Sequence, residues 1–260
     1  VKVDHKTPSS RWYSGSGIYR SVNLTVTDAV NVALNGTKVE TPELEQNKTA
    51  VKTKVRTTVE NDGKEAKDVV LTHKVFEKGK PESVIGTKTT EKTTVQPNGK
   101  ADINAEFTVN NPKLWDTEHP NLYTVRTEVK VGDKVVDTYD TEYGFRYTKF
   151  DKDTGFYLNG KAVKLKGVCM HHDQGALGAV ANRRAIERQV EILQEMGCNS
   201  IRVTHNPAAQ HLIDICNEKG ILVVEEIFDG WHHAKNGNTE DLAKYFEKQV
   251  GENNKLIGAT

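Results

Sequence analysis

Three short apolar runs, each followed by a polar turn, limit the possible folds of this chain more than any other feature. They span residues 164–170, 200–204 and 221–226. After the first two, apolar residues recur at the spacing of an amphipathic helix. Strand-length apolar runs that alternate with helical patterns predict βα units built around a parallel sheet. The C-terminal part of the chain is therefore predicted to be α/β.

Polar residues follow each predicted strand. In open and closed parallel sheets, ligands bind beyond the carboxyl ends of the strands. The residues at those ends, in chain order, are His171-His172-Asp173, His205-Asn206, and Glu225-Glu226 followed by Asp229 and Trp231. A binding or catalytic site is predicted at this edge.

The two predicted helices have recognisable ends. Residues 182–196 form the first, with Asn182 as a cap and Gly197 closing it. For the second, Asn206 is a suitable N-cap and Pro207 suits the first turn. Its predicted buried stripe consists of Ala209, Leu212, Ile213 and Cys216, and Gly220 ends it.

The middle of the chain alternates apolar and polar residues. Residues 51–59, 101–109 and 123–131 show this period of two, and Gly-, Asn- and Pro-containing turns separate them. About seven short strands within about 100 residues predict an antiparallel sandwich of the immunoglobulin type. Its faces are rich in Lys, Thr and Glu and its loops lack clustered aromatics, which favours a spacer over a ligand-binding module.

The first part of the chain resembles the end of a β-domain. Residues 12–20 crowd aromatics and glycines, and residues 21–27 alternate as a strand would. These few elements cannot bury a core alone. The N-terminus also lacks the pattern of a signal peptide, so this segment is predicted to be the tail of a domain that begins earlier.

Composition excludes several classes of protein. Lys and Arg together number 36, as do Asp and Glu, so the chain has no net positive charge that would favour binding to nucleic acid. No apolar run approaches the roughly 20 residues of a membrane span. The cysteines Cys169, Cys198 and Cys216 match neither a disulfide framework nor a zinc site. The cysteines therefore do not indicate whether the protein belongs to a reducing or an oxidising compartment.

Several separate motifs resemble glycoside hydrolase family 2, in particular its β-galactosidase branch. They are Arg11–Arg20 (RWYSGSGIYR), Pro112–Asp116 with Pro120–Tyr123, Tyr143–Arg146 (YGFR), Leu158–Lys161 (LNGK), Lys166–Val168 and Ile201–Pro207 (IRVTHNP). The run His171–Gly178 (HHDQGALG) is closer to galactosidases than to glucuronidases or mannosidases. Within the family, this chain most resembles large surface-attached enzymes of Gram-positive bacteria.

This resemblance implies a multidomain β plus α/β fold. Residues 1–45 would end a jelly-roll sugar-binding domain, residues 46–147 would form a complete immunoglobulin-like sandwich, and residues 148–260 would begin a (β/α)₈ TIM barrel. Retaining glycosidases need two carboxyl groups about 5–5.5 Å apart. The family supplies them as Glu residues after strands four and seven, which this sequence does not contain. Glu225 and Glu226 cannot replace them, because adjacent strand residues point to opposite faces. The chain is therefore expected to be inactive by itself.

By resemblance, the chain carries part of the sugar-binding site. His171 and His205 would hydrogen-bond galactose hydroxyls, Arg202 would sit beside the nucleophile, and Asp173 would accept from a hydroxyl. The predicted set also includes Asn206, Glu226, which would anchor neighbouring polar groups, and Trp231, which would stack on the sugar. The alternatives are a structural ion pair for Arg202, core packing for the two histidines, and packing under a loop for Trp231.

No cofactor is expected. Family members that bind magnesium use an acidic residue two positions before a histidine, where this chain has Gly230 before His232. Asp229 is a weak substitute, and His232-His233 is more consistent with a solvated pair than with metal ligands. The expected partners are a galactoside-containing glycan and the rest of the polypeptide, in an extracellular or cell-wall location, with the cytoplasm as the alternative. The alternative functions are an adhesion module and a family 2 β-glucuronidase or β-mannosidase.

Overall fold

The computed structural model describes residues 17–226, which divide into two compact units. The sandwich unit comprises Asn23–Leu165 and Asn217–Ile221. The βα unit comprises Lys166–Cys216 together with residues 17–22 and 222–226. Within residues 17–226, no helix is long and apolar enough to cross a membrane.

Eight strands form two antiparallel sheets in the sandwich unit. They are β1 (Val30–Glu40), β2 (Ala50–Asn61), β3 (Lys67–Glu77), β4 (Val84–Thr89), β5 (Thr93–Val95), β6 (Gly99–Asn110), β7 (Tyr123–Val131) and β8 (Lys134–Tyr143). One sheet has the order β1-β2-β6; the other has the order β4-β3-β7-β8, with β5 also paired to β3. The three alternating stretches predicted as strands are confirmed as β2, β6 and β7.

Alternation explains the core of this unit, since every second side chain of a strand reaches the same face. The inward residues form two apolar clusters, one containing Val59, Leu71 and Val129, the other Val55, Val75 and Val125. Between these positions on β2, β3 and β7 lie three fully buried polar residues, which we call the central polar layer: Thr57, His73 and Thr127. The alternating pattern places them inside despite their polarity.

A small antiparallel sheet follows the sandwich. It contains β9 (Thr148–Asp151), β10 (Gly155–Leu158) and β11 (Lys161–Ala162). The turn between β10 and β11 is Asn159-Gly160, with φ of 53° and 81°. Two residues with positive φ are what a tight hairpin turn requires, so the predicted hairpin is confirmed.

The βα unit alternates strands and helices. Its elements are β12 (Gly167–Met170), a short 3₁₀ helix (Gly175–Leu177), α1 (Arg183–Glu195), β13 (Ser200–Val203), α2 (Gln210–Lys219, of which residues 210–216 belong to this unit) and β14 (Leu222–Glu225). The strands are parallel in the order β12-β13-β14. Asn182 caps α1 by accepting from Ala185 N at 3.1 Å, and Gly197 follows the helix with φ of 84°. Both predicted features of α1 are confirmed.

The start of α2 differs from the prediction. The helix begins at Gln210, so Asn206 does not cap it. The Asn206 side chain is paired with His172, and the Ala208 N–H is satisfied by Glu225. Within the helix the buried residues are Leu212, Ile215 and Cys216, whereas Ile213 is only half-buried; Ala209 is buried but precedes the helix.

The prediction of a strand at residues 21–27 is wrong. This segment has no strand pairing in the structure, and its apolar side chains Val22, Leu24 and Val26 are 78%, 91% and 85% exposed. Alternation alone does not make a strand; a neighbouring strand must pair with it. β1, in contrast, pairs with β2 and contributes Val30 and Val32 to the core, so the sandwich begins before the predicted boundary at residue 46. Residues 1–16 lie outside the described residues.

Candidate functional site

The carboxyl ends of β12, β13 and β14 lie side by side. Met170 is opposite Val203, which is opposite Glu225. The residues that follow these three positions therefore meet at one edge of the sheet, which we call the carboxyl edge. The predicted residues His171, His205 and Glu226 all belong to it.

Hydrogen bonds to Thr204 fix the tautomer of His171. Its Nδ1 lies 2.8 Å from the carbonyl oxygen of Thr204 and 3.0 Å from the hydroxyl of that residue. A carbonyl oxygen only accepts, so Nδ1 carries the proton and donates it. The Thr204 hydroxyl is itself bound to Met170 O at 3.1 Å. In the neutral imidazole, Nε2 is then the unprotonated nitrogen.

Glu226 joins Arg202 to His205. Its Oε2 lies 2.5 Å from His205 Nδ1, and its Oε1 forms an ion pair with Arg202. Burial alone would raise the pKa of Glu226, but the hydrogen bonds and charges of His205 and Arg202 outweigh it and hold that pKa below its usual range. The side chain, 16% exposed, is a carboxylate at neutral pH. These contacts agree with the predicted anchoring of neighbouring polar groups by Glu226; its part in a sugar-binding site stays a prediction.

Glu225 points away from this network. Its Oε1 accepts from Ala208 N at 2.6 Å, while Glu226 contacts Arg202 and His205. The prediction that these adjacent carboxylates face opposite sides is confirmed. Arg202 pairs in register with Cys169 and Val224, so these three share one sheet face, and its Nη1 lies 3.8 Å from Cys169 Sγ. All three are exposed.

The loop after β12 contributes a second polar pair. His172 Nε2 lies 2.8 Å from Asn206 Oδ1, which connects the loops after β12 and β13. Burial lowers the pKa of His172; the hydrogen bond to Asn206 opposes this shift, and the charge of Arg20 adds to it. No role was predicted for His172 or Thr204, although both lie at or just beyond the ends of predicted strands and within the motifs His171–Gly178 and Ile201–Pro207.

Asp173 organises the turn that follows. Its Oδ1 accepts from Gly175 N at 2.9 Å, which is an Asx turn leading into the 3₁₀ helix. Gln189 of α1 donates to the Asp173 carbonyl at 2.7 Å. The structure therefore gives Asp173 a structural contact; its predicted contact with a sugar hydroxyl stays a prediction.

The structure brings most predicted site residues together. Arg202, His205 and Glu226 form one network, and the His171 and His205 ring centroids are 6.1 Å apart. Trp231, like Asp229, Gly230 and the pair His232-His233, lies outside the described residues. Within residues 17–226, no group of three or more His, Cys, Asp or Glu side chains is arranged to hold a metal ion.

This arrangement suits a small polyhydroxylated ligand. Imidazole nitrogens, a guanidinium group and carboxylates provide both donors and acceptors of hydrogen bonds within one edge. Each is held by a neighbouring protein group, so little side-chain freedom is lost when a ligand binds. The tautomer of His171 and the ionised state of Glu226 are set by protein contacts alone.

Comparison with known proteins identifies the class of protein. Residues 34–146 match the model of glycosyl hydrolases family 2, and residues 151–257 match the model of the family's TIM barrel domain. The two models together match most of the chain, so it belongs to glycosyl hydrolase family 2. The fold is accordingly a sandwich domain of this family followed by the start of its TIM barrel.

Individual relatives are β-galactosidases and β-glucuronidases. The chain is 39% identical over 255 residues to the β-galactosidase BoGH2A of Bacteroides ovatus, covering 95% of this chain and 28% of that protein. A family 2 structure from Bacteroides cellulosilyticus aligns with a TM-score of 0.83 and 33% identity, covering 94% and 32%. A β-glucuronidase from Bacteroides uniformis aligns with a TM-score of 0.70 and 29% identity, covering 77% and 24%. The chain spans only about a third or less of these relatives.

Proposed function

We propose that the carboxyl edge binds a terminal β-galactosyl residue in a retaining β-galactosidase. The observation that carries this proposal is the network in which Glu226 holds Arg202 and His205 next to His171. These groups offer several fixed hydrogen-bonding partners to ring hydroxyls. The similarity to the β-galactosidase of Bacteroides ovatus supports the same substrate class.

Charge favours a galactoside over a glucuronide. The positive charge of Arg202 is already paired with Glu226, and Asp173 adds another acidic side chain near the same edge. A uronate carboxylate entering there would meet acidic groups and a guanidinium that is already neutralised. A galactoside brings no charge and avoids this cost.

The catalytic carboxylates are proposed to come from residues outside this chain. Retention requires two carboxyl groups about 5–5.5 Å apart on either side of the scissile bond. The side chains of Glu225 and Glu226 point to opposite sides, and the Asp173 carboxylate accepts a hydrogen bond within a turn. The full chain of 260 residues should therefore not hydrolyse a chromogenic β-galactoside above the rate of a buffer blank.

A binding comparison tests the proposal. Methyl β-D-galactoside and methyl β-D-glucuronide would be titrated into the full chain by isothermal calorimetry, with ligand-observed NMR for weak binding. We expect millimolar galactoside binding, roughly −4 kcal/mol, and weaker uronate binding. His205→Gln should abolish the galactoside signal. The matched control is His119→Gln, because the His119 side chain is 70% exposed in the sandwich unit. Preference for the glucuronide, or equal binding by both variants, would refute the assignment.

Finer architectural and cellular assignments belong to the same proposal. The strand orders β1-β2-β6 and β4-β3-β7-β8 support an immunoglobulin-type sandwich. The segment before β1 is proposed to end a jelly-roll domain. The Thr-, Lys- and Val-rich sandwich supports an extracellular or cell-wall location in a Gram-positive bacterium. Protease accessibility on intact cells would test that location.

A further inference from the structure

A short N-terminal segment, residues 19–21, contacts both helical starts of the βα unit. The backbone N–H of Ala181, just before the cap of α1, donates to Tyr19 O at 2.8 Å. Arg20 Nη2 donates to the carbonyl oxygen of Pro207, which lies in the loop between β13 and α2. The segment thus connects two loops that are distant from it in sequence, and both of these loops carry residues of the carboxyl edge.

Two more contacts extend this connection. Ser21 Oγ lies 3.0 Å from Nε2 of His211, the second residue of α2. The Tyr19 ring packs edge-on against His172 with the centroids 5.8 Å apart, and the Arg20 guanidinium lies 5.2 Å from the Tyr19 ring centroid. His172 is the residue that holds Asn206. Arg20 therefore contacts the loop after β13 directly and the loop after β12 through the Tyr19 ring.

We propose that Arg20 is a positioning residue that holds the loops after β12 and β13 in the geometry required for sugar binding. The guanidinium group restrains Pro207 directly, and it restrains the His172–Asn206 pair through the Tyr19 ring. The part that concerns sugar binding rests on the proposed function; the part that concerns loop geometry does not.

Arg20→Ala in the full chain tests the proposal, with Arg188→Ala as the matched control. Arg188 is an exposed arginine of α1, so its removal changes the charge of the same unit equally. The first measurement is hydrogen exchange of amides in residues 178–182 and 204–211, which needs no ligand. Loss of a charged hydrogen bond should speed exchange there by about tenfold in Arg20→Ala alone. Arg20→Lys, which keeps the donor but not the planar stacking, should restore part of the protection.

The second measurement is the affinity for methyl β-D-galactoside, which should fall by about tenfold in Arg20→Ala. Unchanged exchange in these loops would overturn the proposal. Faster exchange with unchanged affinity would also overturn it, since the loops would then be held without consequence for the site. If the unmodified chain binds no galactoside, the proposed function fails, and the exchange experiment still decides whether Arg20 holds the loops.

Discussion

Acid should destabilise the sandwich unit through His73. This side chain is fully buried in the central polar layer, with Nδ1 3.0 Å from Thr127 Oγ1 and its ring stacked 6.5 Å from Phe107. Burial lowers the pKa of His73 from 6.5 to about 4. The unfolded chain therefore binds this proton more tightly than the folded chain. The contribution of neutral His73 to the free energy of unfolding should be fully present above pH 6.5 and should decline as the pH falls towards 4.

The magnitude follows from the two pKa values. Each pH unit between them changes the free energy of unfolding by up to about 1.4 kcal/mol. Lowering the pH from 8 to 5 should remove about 2 kcal/mol, and the limit below pH 4 is about 3.4 kcal/mol. These losses are a substantial part of the stability of a typical domain, about 5–15 kcal/mol.

Urea unfolding followed by far-UV circular dichroism at pH 8 and pH 5 provides the assay. His73→Gln keeps a polar side chain but cannot titrate. Between pH 8 and pH 5 the free energy of unfolding of this variant should therefore fall by about 2 kcal/mol less than that of the unmodified chain. Carboxylates titrate equally in both proteins and cancel in this comparison. His119→Gln, at an exposed position, should behave like the unmodified chain. If His73→Gln loses as much stability as the unmodified chain, the reasoning is refuted.

Three further predictions concern the βα unit. Glu226→Gln should weaken galactoside binding about tenfold, because Arg202 and His205 lose their shared carboxylate; calorimetry measures this, and unchanged affinity would contradict it. Burial raises the pKa of Cys216 to about 12, so only about 10⁻⁴ of this thiol is ionised at pH 8. Exposed Cys169 should react rapidly with a thiol reagent, and Cys216 only after unfolding, as peptide mapping would reveal. Asn182→Ala should destabilise α1 by about 1 kcal/mol, and thermal unfolding with an unchanged midpoint would count against the capping role.

Strong periodicity made much of the fold predictable. Residues 51–59 alternate without interruption, and such a pattern buries one face only in a strand. The cap at Asn182 and the turn at Asn159-Gly160 were predictable because both depend on local backbone geometry. Local signals succeed where the energy that decides the structure is also local.

The same signals failed where a distant residue competed for the same group. Asn206 has the chemistry of a helix cap, but its side chain is paired with His172, thirty-four residues away. Residues 21–27 alternate as a strand does, yet alternation does not provide the neighbouring strand that pairing requires. Neither the competing contact of Asn206 nor the absence of a pairing strand for residues 21–27 can be read from a short stretch of sequence.

The sequence alone determined which residues reach the carboxyl edge, because strand direction and the end of each apolar run place His171, His205 and Glu226 there. Only the tertiary structure decided what these residues do. It joined both carboxylate oxygens of Glu226 to Arg202 and His205, and it fixed the proton of His171 on Nδ1. It also brought Arg20 to Pro207 from the far end of the chain. The physical reason is that hydrogen bonds and ion pairs depend on distances of a few ångströms, and packing between distant segments sets those distances.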